Sequence, residues 1–199
     1  MKNKEGMLVV VSGPAGVGKG TICRELLQHL ELEYSVSVTT RKPRPGETEG
    51  KEYYFRSREQ FFQMVENNEL LEWAEFCGNY YGTPKFHVEK ILQQKKIMLL
   101  EIDIQGAEQV KKLYPQGVYI FIVPPSLKVL AERLYGRGTE PEEVIKHRLK
   151  KAAQELENIM EYNYIVENDY VSKAVEKIKS IIIAETCSTK RINFAIKEE

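Results

Sequence analysis

The segment from residue 12 to residue 21 constrains this chain more than any other, and it reads Ser-Gly-Pro-Ala-Gly-Val-Gly-Lys-Gly-Thr. The apolar run Leu8–Val11 precedes it and is typical of a strand that is buried on both faces. The glycines permit positive φ angles that turn backbone N–H groups toward one anion, and a helix beginning near Lys19 adds the positive end of its dipole. The segment is therefore interpreted as a phosphate-binding loop, in which Lys19 supplies a cation for the β- and γ-phosphates of a nucleotide.

The loop departs from the common pattern at one place. The G-x-x-x-x-G-K core is intact, but the Ser or Thr that usually follows the lysine is Gly20, and a hydroxyl comes one residue later at Thr21. A glycine-rich turn that binds no ligand is the alternative, and the agreement of strand, glycine spacing and lysine argues against it. The candidate nucleotide-binding residues of the loop are Gly13, Pro14, Ala15, Gly16, Val17, Gly18, Lys19, Gly20 and Thr21.

Composition limits the class of protein. The 199 residues suffice for one sizeable core, and no Pro/Gly/Ser-rich linker divides them, so a single domain is expected. With 29 basic and 29 acidic residues, the chain is unlike a general binder of nucleic acid or of membrane surfaces. Three widely spaced cysteines favour a reducing compartment, and no segment is long and apolar enough to span a bilayer. A soluble, cytoplasmic protein is expected.

A stiff basic segment follows the first helix and reads Arg-Lys-Pro-Arg-Pro-Gly over residues 41–46. Its two prolines disfavour helix and restrict the backbone, so Arg41 and Arg44 are expected to point in fixed directions. Two guanidinium groups held in this way suit a phosphate dianion. By itself such a cluster is more often a solvated surface loop, and only its position behind a phosphate loop favours binding.

The next stretch predicts a small separate lobe. Ser57 and Gln60 form a capping box that opens a helix. The run Leu70–Phe76 predicts a strand, and a turn at Gly78 leads into Tyr80–Thr83, so the two segments are expected to pair as antiparallel strands.

A second apolar strand is predicted over residues 97–103, and it ends in carboxylates next to Gly106. Open α/β sheets place ligands at the carboxyl ends of their strands, so Asp103 is a Walker B-like candidate for binding substrate or for holding magnesium through water. The sequence Asp103–Gly106 also fits the D-x-x-G pattern of GTPases. That match is discounted because no Asn-Lys-x-Asp segment is present and Gly20 lacks the hydroxyl that such enzymes use.

The last third of the chain predicts a buried strand at Val118–Val123, a helix capped by Ser126, a break at Gly136–Thr139 and a further helix after Pro141. Arginines on both sides of the glycine break suggest a lid that closes over a ligand. A helical hairpin with a solvated basic face is the alternative. A final strand at residues 164–166 and a closing helix over residues 171–183 are also expected.

A phosphate loop, a two-arginine segment, a strand lobe and an arginine lid follow one another in an order that resembles the nucleoside monophosphate kinases and, among them, the guanylate kinases. The combination is specific, whereas the loop alone would fit several kinases. The matching segments are Ser12–Thr21, Ser37–Gly46, Gly50–Tyr53, Glu72–Ala74, Gly78–Thr83, Asp103–Gly106 and Arg133–Thr139.

The resemblance implies an α/β P-loop kinase fold in which helices flank a parallel core sheet, with a small mixed α/β GMP-binding lobe and an arginine-bearing lid. It implies a core of about residues 1–36, 90–134 and 152–199, a GMP-binding lobe of about 37–89 and a lid of about 135–151. The implied partners are ATP and GMP, without nucleic acid or membrane, for a monomer or a homodimer.

The implied reaction is phosphorylation of GMP by ATP with Mg²⁺. Magnesium would be held through the ATP phosphates and waters, near Thr21 and Asp103. The resemblance implies that the GMP phosphate is bound by Ser37, Arg41, Arg44, Tyr53 and Tyr81, and that guanine is bound by Glu72, Thr83 and Asp103. It implies that the ATP phosphates are bound by Arg133, Arg137 and Arg148. The residues implied to act in catalysis are Lys19, Arg41, Arg137 and Arg148.

Three alternatives stay open at this point. The first is that the chain is a scaffold, because guanylate-kinase-like modules also occur as scaffolds that bind phosphorylated peptides, although such a module would not need Lys19 or the lid arginines. The second alternative is that the chain is a kinase for another nucleotide. The third concerns Glu72, which a surface-facing position on its strand would explain without any ligand.

Overall fold

The computed structural model describes residues 6–136 and 142–191. Within them the chain forms nine strands, seven α-helices and one 3₁₀ helix. In chain order these elements are β1 (Met7–Ser12), α1 (Lys19–His29), β2 (Glu33–Tyr34), β3 (Val38–Thr39), β4 (Tyr54–Phe55), α2 (Arg58–Glu66), β5 (Leu70–Phe76), β6 (Asn79–Pro84), α3 (Lys85–Gln93), β7 (Ile97–Glu101), α4 (Ile104–Leu113), β8 (Val118–Val123), α5 (Leu127–Tyr135), α6 (Glu142–Glu155), the 3₁₀ helix (Leu156–Glu161), β9 (Tyr164–Glu167) and α7 (Val171–Thr186).

The core is a five-stranded sheet in the order β2-β7-β1-β8-β9, and every pair of neighbours in it is parallel. The strand that precedes the glycine-rich loop therefore lies at its centre. Side chains alternate between the two faces of a strand. In β1, Val9 and Val11 pack with α1 and α7, whereas Leu8 and Val10 pack with α3 and α4. Both faces of β1 are covered, so the strand is held firmly in the sheet. The loop that follows β1 lies at the carboxyl edge of this sheet.

A second sheet in the order β4-β3-β6-β5 forms the predicted lobe. The antiparallel pairing of β5 with β6 is confirmed, but β3 pairs in parallel with β4, so the sheet is mixed rather than wholly antiparallel. The predicted capping box is present, since Ser57 Oγ accepts from Gln60 N and Gln60 Oε1 accepts from Ser57 N. Phe61 of α2 is fully buried and packs against Val38 and Leu70.

The helices α5 and α6 lie on either side of the predicted glycine break, and they pack through Leu130 and Leu134 on one helix and Ile145 and Ala152 on the other. Ser126 caps α5 as predicted, because its Oγ accepts from Val129 N. The glycine break lies partly outside the described residues. The α-helix α4 and the 3₁₀ helix were not predicted from the sequence. In the part of the chain that the structure describes, no helix has the length and apolar character needed to cross a membrane.

Candidate active site

A cleft of about 590 Å³ lies between the two sheets and receives residues from the glycine-rich loop, the lobe and α6. It therefore brings most of the predicted site residues into one place. The predicted residues that line it are Gly13, Ala15, Gly16, Gly18, Lys19, Gly20, Thr21, Ser37, Arg41, Arg44, Tyr53, Glu72, Tyr81, Asp103 and Arg148.

The glycine-rich loop has the backbone that its sequence predicts. Gly13, Gly16 and Gly18 have φ angles of 140°, 89° and 101°, and α1 begins directly afterwards at Lys19. Such angles strain any residue that carries a Cβ atom. The loop is also clamped from outside: Asn168 Nδ2 donates to Val17 O at 2.7 Å, and a Cβ atom at Gly18 would lie only 2.6 Å from that nitrogen. The loop is thus shaped before any anion arrives.

Lys19 folds back over the loop. Its Nζ donates to Gly13 O at 2.5 Å and to Pro14 O at 3.2 Å. Burial lowers the pKa of Lys19, while the negative charges of Glu101 and Asp103 oppose that shift. The ammonium group is thus partly desolvated, and in such surroundings a cation attracts phosphate oxygens more strongly than it does in bulk water.

Glu101 lies against Gly20. A Cβ atom at position 20 would lie 3.3 Å and 3.4 Å from the two carboxylate oxygens of Glu101, so a serine there would require this side chain to shift by a few tenths of an ångström. Tyr34 Oη donates to Glu101 Oε2 at 3.1 Å and helps to fix it. Sequence reasoning missed Glu101 and Tyr34, although the carboxylate at the end of a buried strand was a visible signal.

The two predicted phosphate-binding arginines lie together on the lobe side of the cleft. Arg41 Nη2 donates to both oxygens of Glu47 at 2.8 Å and 2.9 Å, and Arg44 N donates to Glu47 Oε2 at 2.8 Å. The Arg41 guanidinium carbon also lies 5.4 Å from the ring centre of Tyr53. Glu47, which was not predicted, therefore orients Arg41.

Tyr53 and Tyr81 stand next to these arginines, with ring centres 6.0 Å apart. Burial raises the pKa of Tyr53 to about 12, so its hydroxyl stays protonated and can donate a hydrogen bond. Ser37 completes this side of the cleft, and its carbonyl accepts from Tyr54 N at 2.9 Å. The group offers an anion several donors, and Glu47 is a carboxylate that competes for one of them, the Arg41 guanidinium.

Glu72 is a buried carboxylate on β5 of the lobe. Only 5% of it is exposed, so the surface-facing alternative is wrong. Thr83 Oγ1 donates to its Oε1 at 2.6 Å, and its Oε2 lies so close to Gly106 that a Cβ atom on Gly106 would clash with it. A missed residue, Gln109, holds this strand by donating from Nε2 to Trp73 O and accepting at Oε1 from Trp73 N. Glu72 therefore has a fixed position and direction.

Asp103 has a structural task in addition to its place in the cleft. It is the N-cap of α4, and its Oδ1 accepts from Gly106 N at 2.8 Å. The D-x-x-G pattern is therefore explained by a helix cap, with glycine at the third helical position because Glu72 Oε2 lies against it.

The predicted lid arginines occupy different places. Arg148 lines the cleft and is 9% exposed. Arg133 is absent from the cleft lining, and its Nη2 donates to the carbonyl oxygens of Asn168 and Asp169 at 2.9 Å and 3.3 Å. Arg137 lies outside the described residues.

Burial of Glu72 predicts a pH-dependent stability. Burial raises the pKa of Glu72 to about 7 despite the Thr83 hydrogen bond. Between its ordinary pKa and about 7, the folded state holds a proton that the unfolded state has lost, so the unfolding free energy falls as pH rises through this range. At about 1.4 kcal/mol per pKa unit, the loss attributable to Glu72 is about 3 kcal/mol.

Urea unfolding of the wild type and of Glu72→Gln at a series of pH values checks this, because the amide cannot titrate. The difference between the two unfolding free energies should change by about 3 kcal/mol across the range. Glu75→Gln, an exposed glutamate on the same strand, is the control. A difference that stays constant with pH would contradict the shift.

Comparisons with known proteins agree with this geometry. A family model described as guanylate kinase matches residues 5–185. A guanylate kinase of Desulfitobacterium hafniense is 59% identical over 192 residues, covering 96% of each chain. The chain belongs to the guanylate kinase family. Another guanylate kinase, from Bacillus cereus, is 53% identical over 200 residues, covering 100% of this chain and 98% of that protein.

A solved structure extends the family likeness to the fold. The crystal structure of guanylate kinase from Anaplasma phagocytophilum superposes with a TM-score of 0.79 at 36% identity, covering 94% of this chain and 90% of that one. The predicted architecture of a parallel sheet flanked by helices with a separate small mixed sheet is therefore confirmed.

Proposed function

We propose that this protein transfers the γ-phosphoryl group of ATP to GMP and so produces ADP and GDP. Membership of the guanylate kinase family supports this reaction. The single observation that carries the choice of acceptor is the buried Glu72 carboxylate, which lines the same cleft as the glycine-rich loop. An acceptor base with two adjacent donors would satisfy that carboxylate, and guanine has such an edge.

The acceptor is assigned to the lobe side of the cleft. Its phosphate would accept from Arg41, Arg44 and Tyr53, with Ser37 and Tyr81 beside them. Phosphate would then compete with Glu47 for the Arg41 guanidinium, which Glu47 already orients. The base would meet Glu72 and Thr83, with Asp103 nearby. This division supports a lobe of about residues 37–89 as the GMP-binding unit.

The donor is assigned to the core side. The backbone N–H groups of the loop and the N-terminus of α1 would cradle the ATP phosphates, as they do for anions at helix starts in general. Lys19 would leave the carbonyl oxygens of Gly13 and Pro14 and donate to the phosphates instead. The lid of about residues 135–151, with Arg137 and Arg148, would cover them. Arg133 would act only if its present contacts with the backbone changed.

The family generally uses Mg-ATP, and the residues beside the loop fit magnesium. Magnesium prefers oxygen ligands and keeps several waters. Glu101 and Asp103 supply carboxylates, and Thr21 supplies a hydroxyl, along the same wall of the cleft. Among residues 6–136 and 142–191, no group of three or more His, Cys, Asp or Glu side chains could hold a metal alone, so the phosphates would supply part of its coordination. When bound, magnesium neutralises charge on the ATP oxygens.

The proposed chemistry needs alignment more than a protein nucleophile. A GMP phosphate oxygen attacks the γ-phosphorus in line, and charge spreads over the transferring group. Lys19 and the lid arginines stabilise that charge, while Arg41 holds the attacking phosphate and reduces its repulsion from the donor. Closure of the lid and the lobe would exclude water, which could otherwise accept the phosphoryl group.

Replacing Arg148 with alanine should lower kcat by about 10²-fold, because it removes a charged donor that acts on the transferring group. The affinity for GMP should stay nearly unchanged, because Arg41 and Arg44 hold the acceptor. Steady-state kinetics and GMP titration separate the two effects. Lys150→Ala, which removes an exposed cation from the same helix, is the control. An equal loss of GMP binding would place Arg148 in the acceptor site instead, and the same comparison applies to Arg137→Ala.

A coupled assay of ADP production with GMP, AMP, UMP and CMP as acceptors tests the proposal. GMP should be phosphorylated far faster than the other three. A preference for another acceptor would assign a different nucleotide kinase, and no turnover with any of them would favour the scaffold alternative. The cytoplasmic location and the state of monomer or homodimer stay predictions.

A further inference from the structure

The turn between β5 and β6 is the part of the lobe that lies next to α6. Cys77 and Gly78 have φ angles of 51° and 74°, and Phe76 pairs with Asn79 across the turn. Two central residues with positive φ are typical of a tight two-residue hairpin. The turn therefore fixes where the Phe76 ring, the last side chain of β5, projects from the lobe.

The Phe76 ring lies against two cations of α6. The guanidinium carbon of Arg148 is 5.0 Å from the ring centre, and Lys151 Nζ is 4.9 Å from it. Arg148 Nη2 also lies 4.0 Å from Cys77 Sγ. These are contacts between the lobe, which is assigned to GMP, and the helix that carries a lid arginine.

The Phe76 ring can stabilise the two positive charges that α6 presents to it. Arg148 and Lys151 are three residues apart, so they share one helix face, where two like charges repel. Arg148 is also 9% exposed and has lost most of its hydration. The negative face of an aromatic ring stabilises a desolvated cation, whereas an aliphatic side chain of similar size does not.

The apolar contacts of α6 explain how a movement of the lobe can reach Arg148. Ile145 and Ala152, which lie three residues before and four residues after Arg148 on the same helix face, bind α6 to α5, while Arg148 lines the cleft. Phe76 lines the same cleft as Arg148, Arg41 and Glu72. A displacement of the lobe would therefore move the ring on which the Arg148 guanidinium rests.

We propose that Phe76 is a positioning residue that holds Arg148 in the cleft when the lobe closes, so that GMP binding helps to place an arginine for the donor phosphates. This inference rests on the proposed function. It differs from a plain packing role because it needs the aromatic ring, and it acts through one named cation.

Three variants test the inference. Phe76→Leu keeps an apolar side chain but removes the ring, and it should lower kcat about tenfold while leaving the GMP dissociation constant nearly unchanged. Phe76→Tyr keeps the ring and should restore kcat. Phe62→Leu is the matched control, because Phe62 packs within the lobe against Trp73 and Tyr80. A parallel loss of GMP affinity in Phe76→Leu, or failure of tyrosine to restore kcat, would overturn the proposal.

A double-mutant cycle isolates the route through Arg148. If Phe76 acts by placing Arg148, then Phe76→Leu should have little further effect on kcat in an Arg148→Ala background. If Phe76→Leu still lowered kcat tenfold in the Arg148→Ala background, the ring would act through a group other than Arg148.

Hydrogen exchange of the α6 amides, measured with and without GMP, gives a readout that does not depend on turnover. GMP should protect α6 in the wild type and in Phe76→Tyr, and less in Phe76→Leu. Equal protection in all three variants would overturn the coupling. If the wild type phosphorylates no GMP in the acceptor assay, the proposed function is wrong. If the wild type phosphorylates GMP and the Phe76→Leu variant has the same kinetics as the wild type, only the inference about Phe76 is wrong.

Discussion

Replacing Lys19 with methionine is expected to lower kcat by about 10²- to 10³-fold, the usual cost of removing one charged donor from a preorganised transition state. Lys19 Nζ now donates to Gly13 O and Pro14 O, so it already lies inside the loop that would receive the phosphates. Charge on the transferring group grows as the reaction proceeds, and the loss should therefore fall mainly on kcat. Methionine keeps the length and the apolar stem of the side chain while it removes the charge.

The fold should tolerate this change. The glycine backbone and the Asn168 clamp still shape the loop after the two hydrogen bonds from the ammonium group to Gly13 O and Pro14 O are lost. The melting temperature should therefore stay close to that of the wild type. Lys146→Met is a suitable control, because Lys146 lies on the exposed face of α6 in contact with Glu142 and Glu143. Near-normal turnover in the Lys19 variant would refute its catalytic role.

The core could be predicted from the sequence because its signals are local. Continuous apolar runs gave β1, β7 and β8, and the glycine spacing gave the loop between β1 and α1. Each of these depends on the conformational preferences of residues that are neighbours in the chain. The capping box at Ser57 was predictable for the same reason.

Other features depend on contacts between distant segments, and the sequence offers little that would have revealed them. The helix α4 begins at Ile104 and is capped by Asp103, whose carboxylate suggested a ligand-binding role more strongly than a cap. From the sequence, Gly20 is only a position where the usual hydroxyl is missing, whereas the structure shows that the Glu101 carboxylate lies against it. Glu47 is separated from Arg41 by a proline-rich turn, and its role became visible only when the two side chains met. Periodicity cannot show which polar residues from separate elements will pair.

Selectivity for the acceptor base is argued from Glu72 and its surroundings. One oxygen accepts from Thr83 and the other lies over Gly106, so the carboxylate cannot turn away from the cleft without losing the Thr83 hydrogen bond. Guanine offers N1–H and N2–H₂ side by side, and an ionised carboxylate accepts from both. Adenine has an acceptor at N1 and no 2-amino group, so AMP would leave the ionised form of this buried carboxylate unsatisfied, whereas guanine stabilises that form against the burial that raises its pKa.

Glu72→Gln should therefore lower kcat/KM for GMP at least about tenfold, because a bidentate base contact is worth about 1–3 kcal/mol and one acceptor oxygen becomes an amide donor. The shape of the pocket is kept, and ATP binding should be nearly unchanged, because the donor phosphates are assigned to the loop and the lid. Kinetics with GMP and with AMP at saturating ATP measure the preference directly. Glu75→Gln, on the exposed face of the same strand, should leave both values unaltered. If the ratio of GMP to AMP turnover were the same in Glu72→Gln as in the wild type, Glu72 would not read the base, and its burial would serve the packing of the lobe alone.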